Sequence, residues 1–327
     1  MSAAPRVSVC VPAYQSEQHL QETLDSVWSQ DFEDFELVVV DDGSRDATPA
    51  IIAAQTDPRL RAFRHEPNQG QARTVGEAVG RARGEFIKFL DADDLLHRDS
   101  LSTLVAALDA NPGASFAFSP REIFTENPDS AEMQEWIADL GNLHGNFPQL
   151  REVNDGRVLL RALLGANLPG NWIAEPAGVM ARRADVLAVG GYNRRLRQNN
   201  DIDVWLRLMA RGDVVFIDRP LYTYRLEYSG VTGSSEADDD SRWLDDLWTA
   251  ENLAAMDDFP EPGALRRVRH HYQRWALRRA AGALVREPRR GLALAGDLAG
   301  YCGYRLAAAA GREEPLRLPI PEYAADR

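Results

Sequence analysis

The sequence has very few cysteine and lysine side chains. Its 327 residues include two cysteines, Cys10 and Cys302, and a single lysine, Lys88. Two cysteines are too few for a disulfide framework or for a cysteine-rich zinc site. A reducing cytoplasm is the simplest context for such a chain, so we expect a cytoplasmic protein.

Long apolar runs are also missing. The N-terminus leads directly into a strand-like stretch, without the charged start and apolar segment of a secretion signal. The least polar stretch, residues 292–310, carries Asp297 and Arg305 and falls short of the ~20 apolar residues of a membrane span. We therefore expect any membrane contact to be peripheral.

Positive charge is in deficit. The 37 Lys and Arg residues face 50 Asp and Glu residues, so the net charge is -13. This balance argues against nucleic acid as the main partner, because binding phosphate backbones needs a positive surface. The exception is residues 264–312, which hold eleven arginines and two acids.

The first 120 residues alternate short apolar runs with helical patterns. The predicted strands include Val7 to Val11, Glu36 to Val40 and Leu60 to Arg64. Ser16, Asp46 and Asp99 are predicted N-caps of the intervening helices. This alternation predicts an α/β fold with a mostly parallel sheet, whose ligands bind beyond the carboxyl ends of the strands.

Two predicted strands end in carboxylates. Asp41 and Asp42 follow one of them, and the sequence DADD, residues 91–94, follows another. Adjacent carboxylates repel each other unless a cation lies between them, and Mg²⁺ or Mn²⁺ with a diphosphate would fill that role. The alternative is capping and loop solvation, which applies best to Asp94. Lys88, inside the preceding strand, is expected to pair with a neighbouring Asp.

Three segments carry a resemblance to a known family: VSVCVPAYQSEQHLQETLDSVWSQ, DFELVVVDDGSRDAT and NQGQARTVGEAVGRARGEFIKFLDADD. Together they resemble the family 2 glycosyltransferases of GT-A fold, over residues 5 to 230. Members of that family are inverting enzymes that move a sugar from a nucleotide diphosphate to an acceptor hydroxyl. The resemblance implies a GT-A-like, Rossmann-type, mostly parallel sheet flanked by helices, followed here by a helical C-terminal extension.

The resemblance also implies a donor site. Its residues are Pro12, Ala13, Tyr14, Glu17, Asp41, Asp42, Arg73, Asp91, Ala92 and Asp93. Asp42, with Asp41 beside it, would contact the base, and Arg73 would lie near the base or the diphosphate. Asp91 would reach the ribose and Asp93 would bind Mn²⁺ or Mg²⁺; the expected donor is a UDP-sugar. The alternatives are a core-edge role for Tyr14, a first-turn acid at Glu17 and a solvated Arg73.

The second half is similar to the acceptor side of the same family. A Gly190-Gly191 turn leads to Asn200-Asp201, where the family has Glu-Asp opening a helix. Asp201 is the predicted general base, and its alternative role is a helix N-cap. Trp172, Asn200 and Glu227 are the acceptor-side candidates; Glu227 stands where the family often has His.

The chain divides by composition. We predict a catalytic domain over residues 1–235, with a nucleotide-binding half (1–120) and an acceptor half (121–235), and a helical extension over 236–327. The basic helices predicted within 264–312 have three alternatives: packing on the domain with arginines paired to the acidic segment 236–258, contact with anionic lipids at the inner face of the membrane, or a homodimer interface.

The sequence therefore predicts a metal-dependent inverting glycosyltransferase of bacterial polysaccharide or glycoconjugate synthesis, acting on a glycan or lipid-linked acceptor. Two alternatives stay open. A sugar-phosphate nucleotidylyltransferase is disfavoured because PAYQSEQHL replaces the expected Gly-rich, Arg-containing loop. A non-catalytic nucleotide-sugar-binding protein is conceivable because of Asn200 and Glu227.

Overall fold

The structure, a computed structural model, describes residues 4–193, 195–196, 198–226, 242–256 and 259–310. Two sequence-based predictions fall outside these residues: the acceptor-side role of Glu227, and the folding of the Gly- and Ser-rich segment 229–235 over the donor as a lid.

Eight strands form the central sheet, which is mostly parallel. They are β1 (Val7–Ala13), β2 (Phe35–Asp41), β3 (Leu60–Arg64), β4 (Phe86–Phe89), β6 (Ala114–Phe118), β8 (Val153–Asn154), β9 (Val179–Arg182) and β10 (Asp213–Phe216). Their order is β3-β2-β1-β4-β9-β6-β10-β8. Strand β9 runs antiparallel to both of its neighbours and β8 runs antiparallel to β10. The predicted mostly parallel sheet is confirmed.

A small second sheet lies beyond the carboxyl ends of the central strands. It consists of β5 (Leu95–Leu96), β11 (Tyr222–Arg225) and β7 (Arg121–Phe124), in that order. Strand β5 follows the 91–94 carboxylates directly, so this sheet brings β11 next to them, with β7 on the far side of β11.

Eleven α-helices flank the sheets within the described residues. They are α1 (Leu20–Trp28), α2 (Thr48–Ala53), α3 (Gln71–Arg81), α4 (Ser100–Ala110), α5 (Ala131–Leu140), α6 (Gly156–Gly165), α7 (Arg183–Val189), α8 (Asn200–Met209), α9 (Arg242–Ala254), α10 (Pro262–Arg286) and α11 (Pro288–Ala309). The helical C-terminal extension is thus confirmed. None of these helices, over the ranges given, is long and apolar enough to cross a bilayer.

Two predicted N-caps are wrong. Helix α1 begins at Leu20 rather than just after Ser16, whose carbonyl accepts a hydrogen bond from the Leu20 amide in a preceding turn. Ala47 is the N-cap of α2, although Asp46 accepts a hydrogen bond from the Thr48 amide at 3.1 Å. Sequence spacing locates such helices to within a few residues, and the turn before each one shifts its start.

The central sheet is buried on both faces. Along β2, Leu37 and Val39 belong to one apolar cluster, while Val38 and Val40 belong to the other. Successive side chains of a strand point to opposite faces, so helices must cover both sides of this strand. The polar groups available for chemistry therefore lie where the strands end.

Candidate active site

The parallel strands β1 and β2 end at the same edge, and two carboxylates stand there. Ala13 pairs with Asp41 in the strand register, and the Asp42 amide donates to the Ala13 carbonyl at 2.8 Å. Asp41 is buried and its Oδ1 accepts from the Ser44 amide at 3.0 Å. Among the described residues no hydrogen bond reaches its Oδ2, which lies 3.3 Å from the Arg64 guanidinium.

Asp42 holds the loop that precedes α3. Its carboxylate accepts from the amides of Gln69 and Gly70, at 2.7 and 2.8 Å, and its Oδ1 lies 2.7 Å from His65 Nδ1. The other imidazole nitrogen lies 2.6 Å from Glu77 Oε2. Burial lowers the pKa of His65, but the hydrogen bonds to Asp42 and Glu77 outweigh it and raise the pKa above the usual 6.5. The geometry thus leaves Asp41, rather than Asp42, with a carboxylate oxygen without a hydrogen bond.

A cavity of about 370 Å³ opens beside Asp41. It is lined mainly by helix α2 and strand β3, through Pro49, Ile52, Leu60 and Arg64 among others. Of the ten predicted donor residues, all within the described ranges, Asp41 alone lines it.

The DADD segment forms a tight acidic cluster after β4. Burial, followed by the charges of neighbouring carboxylates, raises the pKa of Asp91 and of Asp94 well above the usual value for Asp. One Asp94 oxygen accepts from the Arg225 amide at 3.0 Å, while within the described chain its Oδ2 has no hydrogen-bond partner. Asp93 is exposed. In the part of the chain that the structure describes, no three acidic, histidine or cysteine side chains lie close enough together to form a complete metal site. The exposed Asp93 carboxylate is an oxygen ligand of the kind that Mg²⁺ or Mn²⁺ takes together with substrate phosphates.

The predicted hydrogen-bonded pairing of Lys88 with a neighbouring Asp is wrong. The ammonium group is fully buried and donates to the backbone carbonyls of Ala177 and Val179 instead of to a carboxylate. Burial lowers its pKa to about 7, although the charge of Asp94 acts in the opposite direction. Lys88 ties β4 to the segment entering β9, rather than neutralising the acidic cluster.

Asp201 lies in the first turn of α8 and faces the same cluster. Burial raises its pKa to about 7, against a hydrogen bond from the Ile202 amide that lowers it. The charge of Asp201 in turn contributes to the raised pKa of Asp91, which brings the two carboxylates within electrostatic reach. A carboxylate with a pKa near neutrality is suited to take up a proton.

Glu175 is a site residue that the sequence analysis missed. Its carboxylate accepts from Arg121 and, at 2.5 Å, from the Tyr222 hydroxyl. Its charge raises the pKa of both Asp91 and Asp201. No sequence motif indicates Glu175, because it follows an irregular loop and its two partners are 54 and 47 residues away.

The other predicted donor residues lie near the ends of β1 and β4. Pro12 and Ala13 end β1, Tyr14 is exposed, and Ala92 is buried within the DADD segment. The Glu17 carboxylate accepts from the Ala47 amide at 2.8 Å, so it joins the loop after β1 to the start of α2.

Arg73, in the first turn of α3, is exposed and donates to the Gln69 side chain at 2.6 Å. That bond places its guanidinium on the side of α3 that faces the loop held by Asp42.

The acceptor-side candidates differ in exposure. Trp172 is partly buried and its ring meets Phe147 edge-on, with centroids 5.4 Å apart. Trp205, the other tryptophan of this half, is fully buried and donates to the Ala174 carbonyl, so it belongs to the core. Asn200 is buried, donates to the Leu196 carbonyl at 3.4 Å and leaves its Oδ1 without a hydrogen bond among the described residues.

Comparisons with known proteins agree with this fold. The model of the glycosyl transferase family 2 matches residues 8–162. The uncharacterized protein MT1568 of Mycobacterium tuberculosis is 36% identical over 223 residues, which is 68% of either chain. The putative teichuronic acid biosynthesis glycosyltransferase TuaG of Bacillus subtilis is 25% identical over 70% of this chain and 82% of its own.

A solved structure shares the fold. The crystal structure of S. aureus TarS, residues 1–349, in complex with UDP-GlcNAc has a TM-score of 0.62 and 20% identity, over 93% of this chain and 83% of that one. The GT-A-like fold and the comparisons define a glycosyltransferase. The chain belongs to the glycosyl transferase family 2. Family membership disfavours both alternatives, the nucleotidylyltransferase and the non-catalytic binder.

Proposed function

We propose that the chain is a metal-dependent inverting glycosyltransferase of bacterial polysaccharide synthesis. It moves a sugar from a UDP-sugar to a hydroxyl of a glycan or lipid-linked acceptor. The observation that carries the proposal is Asp201, a carboxylate with a pKa of about 7 within electrostatic reach of the DADD cluster. The teichuronic acid biosynthesis named for TuaG supports the pathway class, and the UDP-GlcNAc held by TarS supports the donor class.

In this proposal Asp201 is the general base. Its carboxylate takes the proton of the acceptor hydroxyl while that oxygen attacks the anomeric carbon, and the nucleoside diphosphate leaves from the opposite face. Attack from the opposite face inverts the configuration at that carbon. Glu175, whose charge raises the pKa of Asp201, strengthens it as a base.

The donor binds along the carboxyl ends of β1, β2 and β4 in the same proposal. Asp41 offers an acceptor oxygen to the base, which refines the expected role of Asp42, and Arg73 offers planar donors to the diphosphate. Asp93 would hold Mn²⁺ or Mg²⁺, which when bound offsets the negative charge of the diphosphate. Asp91 would reach the ribose.

The Asp201→Asn variant tests the catalytic role. We expect turnover to fall by about 10² or more, because the amide cannot accept the proton, while donor affinity stays within twofold. Turnover is measured as nucleoside diphosphate release from UDP-, GDP- and dTDP-sugars with Mn²⁺, and affinity by calorimetry.

The matched control is Asp185→Asn, which removes a carboxylate paired with Arg211 at the protein surface. It should leave turnover unchanged. If turnover is unaltered in Asp201→Asn, Asp201 is not the general base and serves only at the start of the helix. If the wild-type chain binds nucleotide but turns over no donor, the enzyme function itself is refuted.

In the basic extension, Arg269 and Arg305 pair with Glu251 of the acidic segment 236–258, as the packing alternative predicts, and we propose that the tip of the extension contacts anionic lipid in addition. The hairpin of α10 and α11 exposes apolar side chains near its tip, with Val285 83% and Leu292 66% exposed. Both helices also carry exposed arginines, including Arg278 on α10 and Arg289 on α11. Apolar side chains flanked by cations suit the interface of a negatively charged membrane.

The double variant Val285→Ser/Leu292→Ser tests that contact. Wild-type protein should co-float with vesicles of phosphatidylcholine and phosphatidylglycerol, and the variant should lose most of this binding. Equal binding to vesicles of phosphatidylcholine alone would refute the electrostatic part. A wild-type dimer that the variant converts to a monomer would assign the tip to a subunit interface instead.

A further inference from the structure

Helix α9, in the C-terminal extension, contacts the segment that leads to Asp201. Its Asp245 is 1% exposed, and the Oδ2 atom accepts from the amides of Gln198 and Asn199, at 2.8 and 3.1 Å. Asn199 is the N-cap of α8, yet its own side chain makes no capping hydrogen bond. Asp245 therefore satisfies, from another helix, amides at the start of α8.

A second contact from α9 lies on the other side of Asp201. Asn252, fully buried, donates to Asp203 Oδ2 at 2.7 Å. The same oxygen pairs with Arg207, whose guanidinium donates to the carbonyls of Gly190 and Gly191 at 3.0 Å. Helix α9 is thus joined through α8 to the Gly-Gly turn.

Apolar and cation–π contacts close the same junction. The Arg195 guanidinium lies 4.7 Å from the centre of the Trp248 ring on α9. Leu196 is buried in one cluster with Leu244 and Leu247 of the same helix. The segment before Asp201 is therefore packed as well as hydrogen-bonded against the extension.

We propose that Asp245 and Asn252 are positioning residues that fix Asp201 for proton transfer, so that the extension completes the catalytic site. The inference rests on the proposed function of Asp201 as the base. Asp245 acts three residues before Asp201 and Asn252 acts through Asp203, two residues after it. Displacement of a reacting group by about 1 Å can cost 10²-fold in rate, so two supports from one helix have a direct consequence for turnover.

The Asp245→Ala variant removes the first support. We expect kcat to fall at least tenfold while the Kd for UDP stays within twofold, because the donor residues lie on other elements. Hydrogen exchange of the Gln198 and Asn199 amides should become faster, which requires no turnover assay. Asp245→Asn should recover part of kcat, since its amide oxygen still accepts hydrogen bonds; it also serves if Asp245→Ala does not fold.

Glu251→Gln is the matched control on the same helix. Glu251 is a buried carboxylate that pairs with Arg269 and Arg305 of the hairpin and accepts from the Tyr301 hydroxyl. The Glu251→Gln substitution should lower the melting temperature but keep kcat within about twofold of the wild-type value.

Two outcomes would overturn the inference. One is unchanged kcat or unchanged amide exchange in Asp245→Ala, and the other is an equal loss of kcat in Glu251→Gln. If the wild-type chain turns over no donor, the proposed function is refuted rather than this inference. Amide exchange would then still measure how far α9 stabilises the segment at the start of α8.

Discussion

Asp203 and Arg207 stand one turn apart on α8 and form a fully buried ion pair, with Arg207 Nη2 2.7 Å from Asp203 Oδ2. The remaining guanidinium donors reach three backbone carbonyls between residues 189 and 191. The pair therefore does more than neutralise a charge: it fixes the turn that precedes the Asp201 segment.

Arg207→Met should destabilise the fold strongly. Removing one partner of a buried pair leaves the other charge uncompensated, at a cost of about 3–5 kcal/mol. Arg211→Met, two residues beyond the end of α8, breaks the Arg211–Asp185 pair, which is partly exposed, and should cost at most about 1 kcal/mol. Denaturant unfolding of both variants measures the difference; equal losses would contradict the importance of the buried pair.

The acid side of the pH–rate profile should report Asp201. The base must be ionised to act and its pKa is about 7, so kcat should fall about tenfold per pH unit at more acidic pH. Asp91, Glu175 and Tyr192 are the titratable groups that interact with it. Because the Glu175 charge raises this pKa, Glu175→Gln should shift the fall to lower pH. A fall that stays in place in this variant would point to another group.

Asp93→Ala should abolish the metal-dependent part of nucleotide binding. The substitution removes the carboxylate proposed to hold the cation between the protein and the diphosphate. Calorimetry with UDP, with and without Mn²⁺, measures it. Asp99→Ala is the control, since that carboxylate pairs with Arg219 at the start of α4; metal enhancement that survives in Asp93→Ala would remove Asp93 from the site.

His65 should make stability depend on pH. Its pKa is raised in the folded state by Asp42 and Glu77 despite burial. The stabilisation is therefore complete below the unfolded pKa of about 6.5 and is lost as pH rises through the folded pKa. The difference in unfolding free energy between wild type and His65→Asn should shrink from pH 5.5 to pH 8.5. A difference independent of pH would mean that the imidazole acts only as a neutral hydrogen-bonding group.

The sequence predicted the parts of the fold that depend on local patterns. Strand β3 occupies the predicted residues, because its apolar run is bounded by turns, and the carboxylates at the ends of β2 and β4 lie at the sheet edge as expected. The predictions that failed concern residues whose partners lie far away in the sequence. Nothing local predicts that Asp42 would bind amides 27 and 28 residues away, or that Lys88 would bond to carbonyls near residue 178.

Glu175 and Asp245 show the same limit. Glu175 is defined by Arg121 and Tyr222, on two strands of the small sheet, and Asp245 by amides 46 and 47 residues earlier. Such residues acquire a role only when the topology brings their partners together. A motif search finds residues that follow a recognisable local pattern, but not the distant residues that hold them in place.

The burial of Lys88 removes the chain's one side-chain amine from its surface. Acylating reagents directed at primary amines need access to a neutral Nζ, and in the folded chain this atom is enclosed by backbone carbonyls. The rate at which Lys88 is covalently labelled would therefore measure how often the β4–β9 junction opens. This single lysine can thus serve as a chemical probe of local unfolding inside the sheet.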